Sequence, residues 1–119
     1  MTDEALQQIW KTYQDAWSDV PAERCAELLR TTLSDDIAFS NPDSGGQGIE
    51  SMIAHVQDFQ KQYPGCYFRS NVLRQQHGQL LASWTLFDRD DAPLVNGFSY
   101  GRFDEESNRL TQLAGFWKL

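Results

Sequence analysis

His55 is the side chain best placed in this sequence for chemistry near neutral pH. It lies three residues after Met52 and four before Phe59, so a helix sets it at the edge of their apolar face. An imidazole there can act as a general acid or base, or simply hold a local hydrogen bond. Tyr13 offers a phenol that either donates into a pocket or stays in a core with its hydroxyl satisfied. Asn41, directly before Pro42, can bind a ligand carbonyl or hydroxyl, or cap its own loop. Gln112 precedes Ala114 by two residues and Phe116 by four, which puts the three on one face of a strand. Such a set suits proton transfer on a small molecule, or its orientation. Metal chemistry is not expected, because His55 and His77 share no i, i+4 spacing and no neighbouring carboxylate pattern. His77, beside Gly78, reads as an exposed turn residue. No cofactor is expected either. The loop Gly45-Gly46-Gln47-Gly48 lacks the Gly-Lys-Ser/Thr ending of a P-loop and the strand context of a dinucleotide fold, and reads as a flexible entrance.

The elements that must carry these residues follow from periodicity. Leu6, Ile9, Trp10, Tyr13 and Trp17 form one stripe at the helical period, with Asp3 as the expected N-cap. Ser18-Asp19-Val20-Pro21 breaks it, and Pro21 suits the first turn of a second helix that turns Cys25, Leu28 and Leu29 inward. Ile37 to Phe39, between turn formers, is expected to be a brief strand. Proline holds Asn41 extended. A third helix starts at Gly48 or Ile49, has the stripe Ile49, Met52, Ile53, Val56, Phe59 and Tyr63, and stops at Pro64-Gly65. The period then becomes two. Strands are expected over Cys66–Gln75, Leu80–Phe87, Leu94–Phe103 and Arg109–Leu119, with a glycine hairpin at Gln76-His77-Gly78-Gln79. Short connections make these neighbours antiparallel. Helices followed by a meander define an α+β domain spanning residues 1–119.

In the third of these strands Gly97, Ser99 and Gly101 share a face, opposite Phe98, Tyr100 and Arg102. Glycines inside a strand mark a bend or a close approach, so the small face either leaves volume beside the helices or lets a helix pack closely. The opposite aromatic face has no helix left to cover it, which points to a subunit interface.

With 119 residues the chain is one domain of ordinary size, able to bury about 65% of its unfolded surface. A composition of 40% apolar and 13% aromatic residues argues against disorder. The net charge of −7 and the dispersal of the ten basic residues argue against nucleic acid. No run approaches the length of a membrane span, and the acidic start Met1-Thr2-Asp3-Glu4 is unlike a secretory signal. Cys25 and Cys66 form no Cys-x-x-Cys pair and are expected to be reduced in a cytoplasmic protein.

Tyr13 and Trp17, the run Phe39-Ser40-Asn41-Pro42, the glycine loop to Gly48, Pro64-Gly65, Gly97-Phe98-Ser99, and Arg109-Leu110 to Gly115-Phe116 together resemble the nuclear transport factor 2-like superfamily. The resemblance is strongest to its small bacterial SnoaL-like, or ketosteroid-isomerase-like, branch. It covers essentially the whole chain and implies a cone-shaped curved antiparallel sheet wrapped around three helices, a dimer through the sheet, and a mostly apolar pocket. Tyr13 matches the tyrosine that donates to a developing oxyanion. The family's general-base aspartate before proline is replaced by Asn41, and its protonated aspartate on the third long strand by Ser99. Steroid isomerisation by that mechanism is therefore not expected. Neither is the Asp-Arg-Asp set of epoxide hydrolases present at inward positions.

The resulting expectation is a cytoplasmic homodimer, joined through Phe98 and Tyr100, that binds a small apolar molecule without cofactor or metal. Trp17, Phe39, Met52, Val56, Phe59 and Phe116 are the expected walls. Tyr13, Asn41, His55, Ser99 and Gln112 are the expected polar contacts. Any catalysis is expected to be proton transfer of an isomerase or dehydratase kind, with His55 as base and Tyr13 as donor. The alternative is a non-catalytic association module acting through its sheet face. A Ran-binding role finds little support in a short acidic chain.

Overall fold

The structure, a computed structural model, describes residues 1–117. Helix α1 (Asp3–Asp15) follows the predicted stripe, but its N-cap is Thr2 and not Asp3. The Thr2 hydroxyl accepts the Ala5 amide at 3.1 Å, which leaves Asp3 inside the first turn, where its charge complements the helix dipole. Helix α2 (Ala22–Thr32) is entered from Pro21 and buries Cys25, Leu28 and Leu29. Strand β1 (Leu33–Ser40) is longer than the three apolar residues implied. The glycine loop contributes a short strand of its own, β2 (Gly45–Gln47), antiparallel to β1. Gly48 turns the chain at φ 97° into helix α3 (Ile49–Gln62), a left-handed conformation that glycine adopts without steric cost.

The meander is β3 (Tyr67–Gln76), β4 (Gln79–Phe87), β5 (Pro93–Asp104) and β6 (Arg109–Phe116). The predicted last strand to Leu119 thus ends earlier within the described residues, and its final positions, 118 and 119, lie outside them. His77 and Gly78 take φ of 45° and 73°, both positive as a two-residue hairpin turn requires. The sheet order is β2-β1-β6-β5-β4-β3, an open curved sheet with β2 and β3 at its edges. It is mixed, not wholly antiparallel, because β1 runs parallel to β6. Short connections dictate antiparallel pairing only between consecutive strands. The partner of β1 is set by the long path through α3 and the meander. The architecture is the expected α+β cone.

The main core gathers α1, α2 and α3 against the concave sheet face, with Leu29, Leu33, Ile37, Val56 and Leu110 sealed completely. A second cluster of Cys66, Trp84 and Leu86 receives Phe59, Phe68 and Trp117. Both cysteines are buried and free. On the small face of β5 Ser99 borders open volume, whereas Gly97 and Gly101 fit neither expectation. The closest neighbours of Gly97 and Gly101 come from the adjacent strands and not from a helix. A Cβ on Gly97 would stand 2.4 Å from two atoms of the Trp84 ring, and one on Gly101 2.9 Å from the Gln112 carbonyl.

One irregularity decides which residues of β6 face inward. Phe103 pairs with Leu110, but Arg102 pairs with Gln112, so Thr111 is an extra residue in β6. Such a bulge reverses the alternation beyond it. Leu110, Leu113 and Gly115 face the concave side, while Gln112, Ala114 and Phe116 face out.

Candidate functional site

Between the helices and the sheet lies a cavity of about 610 Å³. Its size and largely aromatic wall are those of a small-molecule site. Helix α1 supplies Trp10, Tyr13 and Gln14, followed by Trp17. Helix α3 supplies Met52, His55 and Phe59. The sheet adds Phe39, Phe68, Trp84, Ser99 and Leu113. Trp17 is the hub of the wall, meeting His55, Phe59 and Phe68 edge-on at centroid distances of 5.6, 5.2 and 5.7 Å.

Asn41 caps its own loop and also reaches His55. Its side-chain oxygen accepts the backbone N–H groups of Asp43 and Ser44 at 2.9 and 3.0 Å, capping the turn that Pro42 initiates. Because the oxygen is committed there, the other amide atom is the nitrogen, and it lies 2.9 Å from His55 Nε2. The nitrogen can only donate, so His55 Nε2 is the acceptor and Nδ1 carries the proton. Nδ1 in turn faces Ser44 Oγ at 3.2 Å. Burial pushes the His55 pKa below its ordinary value, against the opposing pull of Asp58 and Asp43. The ring is therefore neutral at pH 7, with its basic lone pair turned toward Asn41.

Tyr13 is buried at the cavity wall. Desolvation drives its pKa strongly upward despite a hydrogen bond to Trp17, which keeps the phenol protonated and available as a donor. Ser99 Oγ accepts Trp84 Nε1 at 3.0 Å, leaving its own proton free to be donated.

Of the expected site residues, the structure brings Tyr13, Trp17, Phe39, Asn41, Met52, His55, Phe59 and Ser99 to the cavity. It places three elsewhere. Val56 is sealed in the main core, one step around α3 from the lining positions Met52 and His55. Gln112 and Phe116 are exposed on the convex face, carried there by the extra residue Thr111. Gln14, Phe68 and Trp84 are wall residues that the sequence reading left out. Gln14 was accessible in principle, since it stands four residues after Trp10 and so shares its face. Trp84 follows the inward alternation Leu80, Ala82, Trp84, Leu86. His77 is exposed at its hairpin. Among the described residues no three His, Cys, Asp or Glu side chains gather as a metal-binding group, and no helix is long and apolar enough to cross a membrane.

No protein-family model matches the chain, and neither does any curated protein. Its likeness is to solved structures. A SnoaL-like family protein from Agrobacterium tumefaciens, named as a candidate isomerase, superposes with a TM-score of 0.88 at 20% identity, over 98% of this chain and 99% of that one. An NTF2-like protein of unknown function from Exiguobacterium gives 0.74 at 14%, over 92% and 98%. A candidate polyketide cyclase from Sinorhizobium meliloti gives 0.71 at 15%, over 91% and 93%. At these identities the likeness shows the fold alone, the one that these SnoaL-like and NTF2-like structures share.

Proposed function

We propose that this domain binds a small, largely apolar molecule between its helices and its sheet. The observation that carries the proposal is the aromatic-walled cavity into which Tyr13 and Ser99 bring donors. In this reading the molecule undergoes cofactor-independent proton transfer of the isomerase or dehydratase type. His55 is the acid–base group and Tyr13 the donor that stabilises developing negative charge on oxygen. For His55 to accept a proton, the substrate must displace the Asn41 amide from Nε2. The likeness to a candidate isomerase and a candidate polyketide cyclase agrees with this type of chemistry.

Native mass spectrometry of freshly purified protein tests the binding. A retained apolar metabolite supports it and identifies the substrate class. Protein that carries nothing and takes up no apolar ketone or hydrocarbon overturns it. Once a substrate is identified, loss of turnover in both His55→Ala and Tyr13→Phe supports the catalytic assignment, whereas full activity in His55→Ala refutes it.

A second reading rests on the convex face, where Leu81, Phe98 and Phe116 are 51%, 45% and 48% exposed on neighbouring strands. Large apolar groups clustered on one sheet face fit a subunit interface. We propose a cytoplasmic homodimer joined there, with Tyr100 beside Phe98. As a purely associative module the protein would depend on this face and not on the cavity.

A further inference from the structure

A hydrogen-bond relay runs from Trp10 through Ser70 to Gln14. An indole nitrogen donates and never accepts. Trp10 Nε1 donates to Ser70 Oγ at 2.8 Å, and Ser70 Oγ donates its own proton to Gln14 Oε1 at 2.7 Å. The relay therefore assigns the Gln14 amide: its oxygen is held by Ser70, and its NH2 group is turned away. Gln14 is 8% exposed and lines the cavity. Its nitrogen makes no hydrogen bond among the described residues, yet it is not sealed from solvent-sized space. Ser70 borders the groove between α1 and β3 and not the cavity, whereas Gln14 borders both. The oxygen is thus the groove-side atom of the amide and the nitrogen the cavity-side atom.

An amide nitrogen on a residue this buried that meets no protein acceptor has its hydrogen bond available to a molecule occupying the cavity. The second indole relay has the same sense, since Trp84 donates to Ser99 and leaves the serine proton unclaimed among the described residues. His55, the group with a basic lone pair, already has it occupied by Asn41. In the buried part of the cavity Gln14 and Ser99 thus present donors, while the carboxylates of the lining, Asp43 and Asp58, belong to exposed residues.

We propose that Gln14 reads a hydrogen-bond acceptor on the bound molecule, held in its donor orientation by Trp10 and Ser70, so that the cavity selects an apolar molecule bearing a carbonyl-type oxygen over a hydrocarbon of the same shape. This rests on the binding reading above and adds to it the class of ligand. Gln14 is a binding residue; Ser70 and Trp10 are positioning residues that act through it.

Isothermal titration calorimetry with 2-tetralone and tetralin, which differ by one carbonyl oxygen, tests the proposal. The wild-type protein is expected to prefer the ketone about 5- to 10-fold, the yield of about one neutral hydrogen bond. Gln14→Leu should bring the ratio close to one while leaving tetralin affinity within about threefold, as expected when only a polar contact is lost. Gln14→Glu keeps the size and the Ser70 contact but turns an oxygen toward the ligand, and should also abolish the preference. Ser70→Ala should lower the ratio, and Ser70→Thr, which keeps the hydroxyl, should restore it; a merely structural role for Ser70 would leave the ratio unchanged. Equal binding of both probes by the wild type overturns the role of Gln14 while leaving the cavity a binding site. A ketone preference that survives in both Gln14 variants overturns it as well. Failure of both probes to bind overturns the cavity reading and this inference together.

Discussion

Gly97→Ala isolates the contact that shapes one wall of the cavity. The added methyl would stand 2.4 Å from Cη2 and Cζ2 of Trp84, and 2.9 Å from the Phe116 carbonyl on the other side. Carbon–carbon contacts relax at about 3.5–4.0 Å, so the ring must move by more than 1 Å. The Phe116 carbonyl cannot yield, because Phe116 is paired to Phe98 in the β5–β6 ladder. Overpacking of this kind costs about 1–3 kcal/mol. Displacing the ring also breaks the Trp84–Ser99 hydrogen bond, worth about 1 kcal/mol. The expected destabilisation is about 2–4 kcal/mol. With an unfolding entropy of about 2.1 cal/mol/K per residue, a 119-residue chain loses about 4 °C of Tm per kcal/mol, so Tm should fall by about 8–16 °C. Differential scanning calorimetry measures this, and near-UV circular dichroism should report an altered tryptophan environment. Replacing Trp84 by Leu in the Gly97→Ala background should recover part of the loss, since the two residues are in contact and their effects are not additive. A Tm within about 2 °C of wild type, with an unchanged near-UV spectrum, would refute the packing of Trp84 on Gly97.

Two further outcomes are expected. Because the folded state holds the His55 pKa below its ordinary 6.5, the unfolded chain takes up the proton first as the solution is acidified. The stability associated with neutral His55 is present above pH 6.5 and declines as pH falls through the folded-state pKa, so the stability difference between wild type and His55→Gln, followed by urea denaturation at pH 7.5 and 5.5, should shrink in acid; a constant difference would contradict the burial. Placing charge on the convex face with Phe98→Lys and Phe116→Lys together should shift the protein from dimer to monomer in size-exclusion light scattering, with the helical circular dichroism signal retained, and a wild-type monomer would remove that face as a homodimer interface.

The helices were legible because each carries an apolar stripe long enough to fix its face, and five of the eight expected site residues that reach the cavity, Tyr13, Trp17, Met52, His55 and Phe59, belong to those helical patterns. What escaped was the geometry set by other segments. Val56 and His55 are adjacent on α3, and periodicity places both near the apolar face without saying which looks into the core and which into the cavity. The spacing that puts Gln112, Ala114 and Phe116 on one face is right, but which side of the sheet that face meets depends on the extra residue Thr111. Nothing in Arg109-Leu110-Thr111-Gln112 marks a bulge, because its cause is the pairing with β5. Short β2 was hidden for a related reason, since glycines form a strand there only because β1 offers an edge. The Gln14 amide could be placed on a helix face from spacing, but its donor sense depends on Ser70, which arrives from a strand far along the chain.

The parallel pairing of β1 with β6 also sets an order of events during synthesis. Leu33 and Ala38 find their partners in Leu110 and Gln112, so this seam of the sheet joins a segment made early to a segment made late. While a ribosome is still adding the meander, the apolar side chains of β1 and the inner faces of α2 and α3 have no completed sheet to close upon. Topologies dominated by such distant pairings fold slowly and leave apolar surface exposed in the meantime. The nascent chain should consequently stay protease-sensitive and chaperone-bound until β6 has cleared the exit tunnel, and then close in one cooperative step.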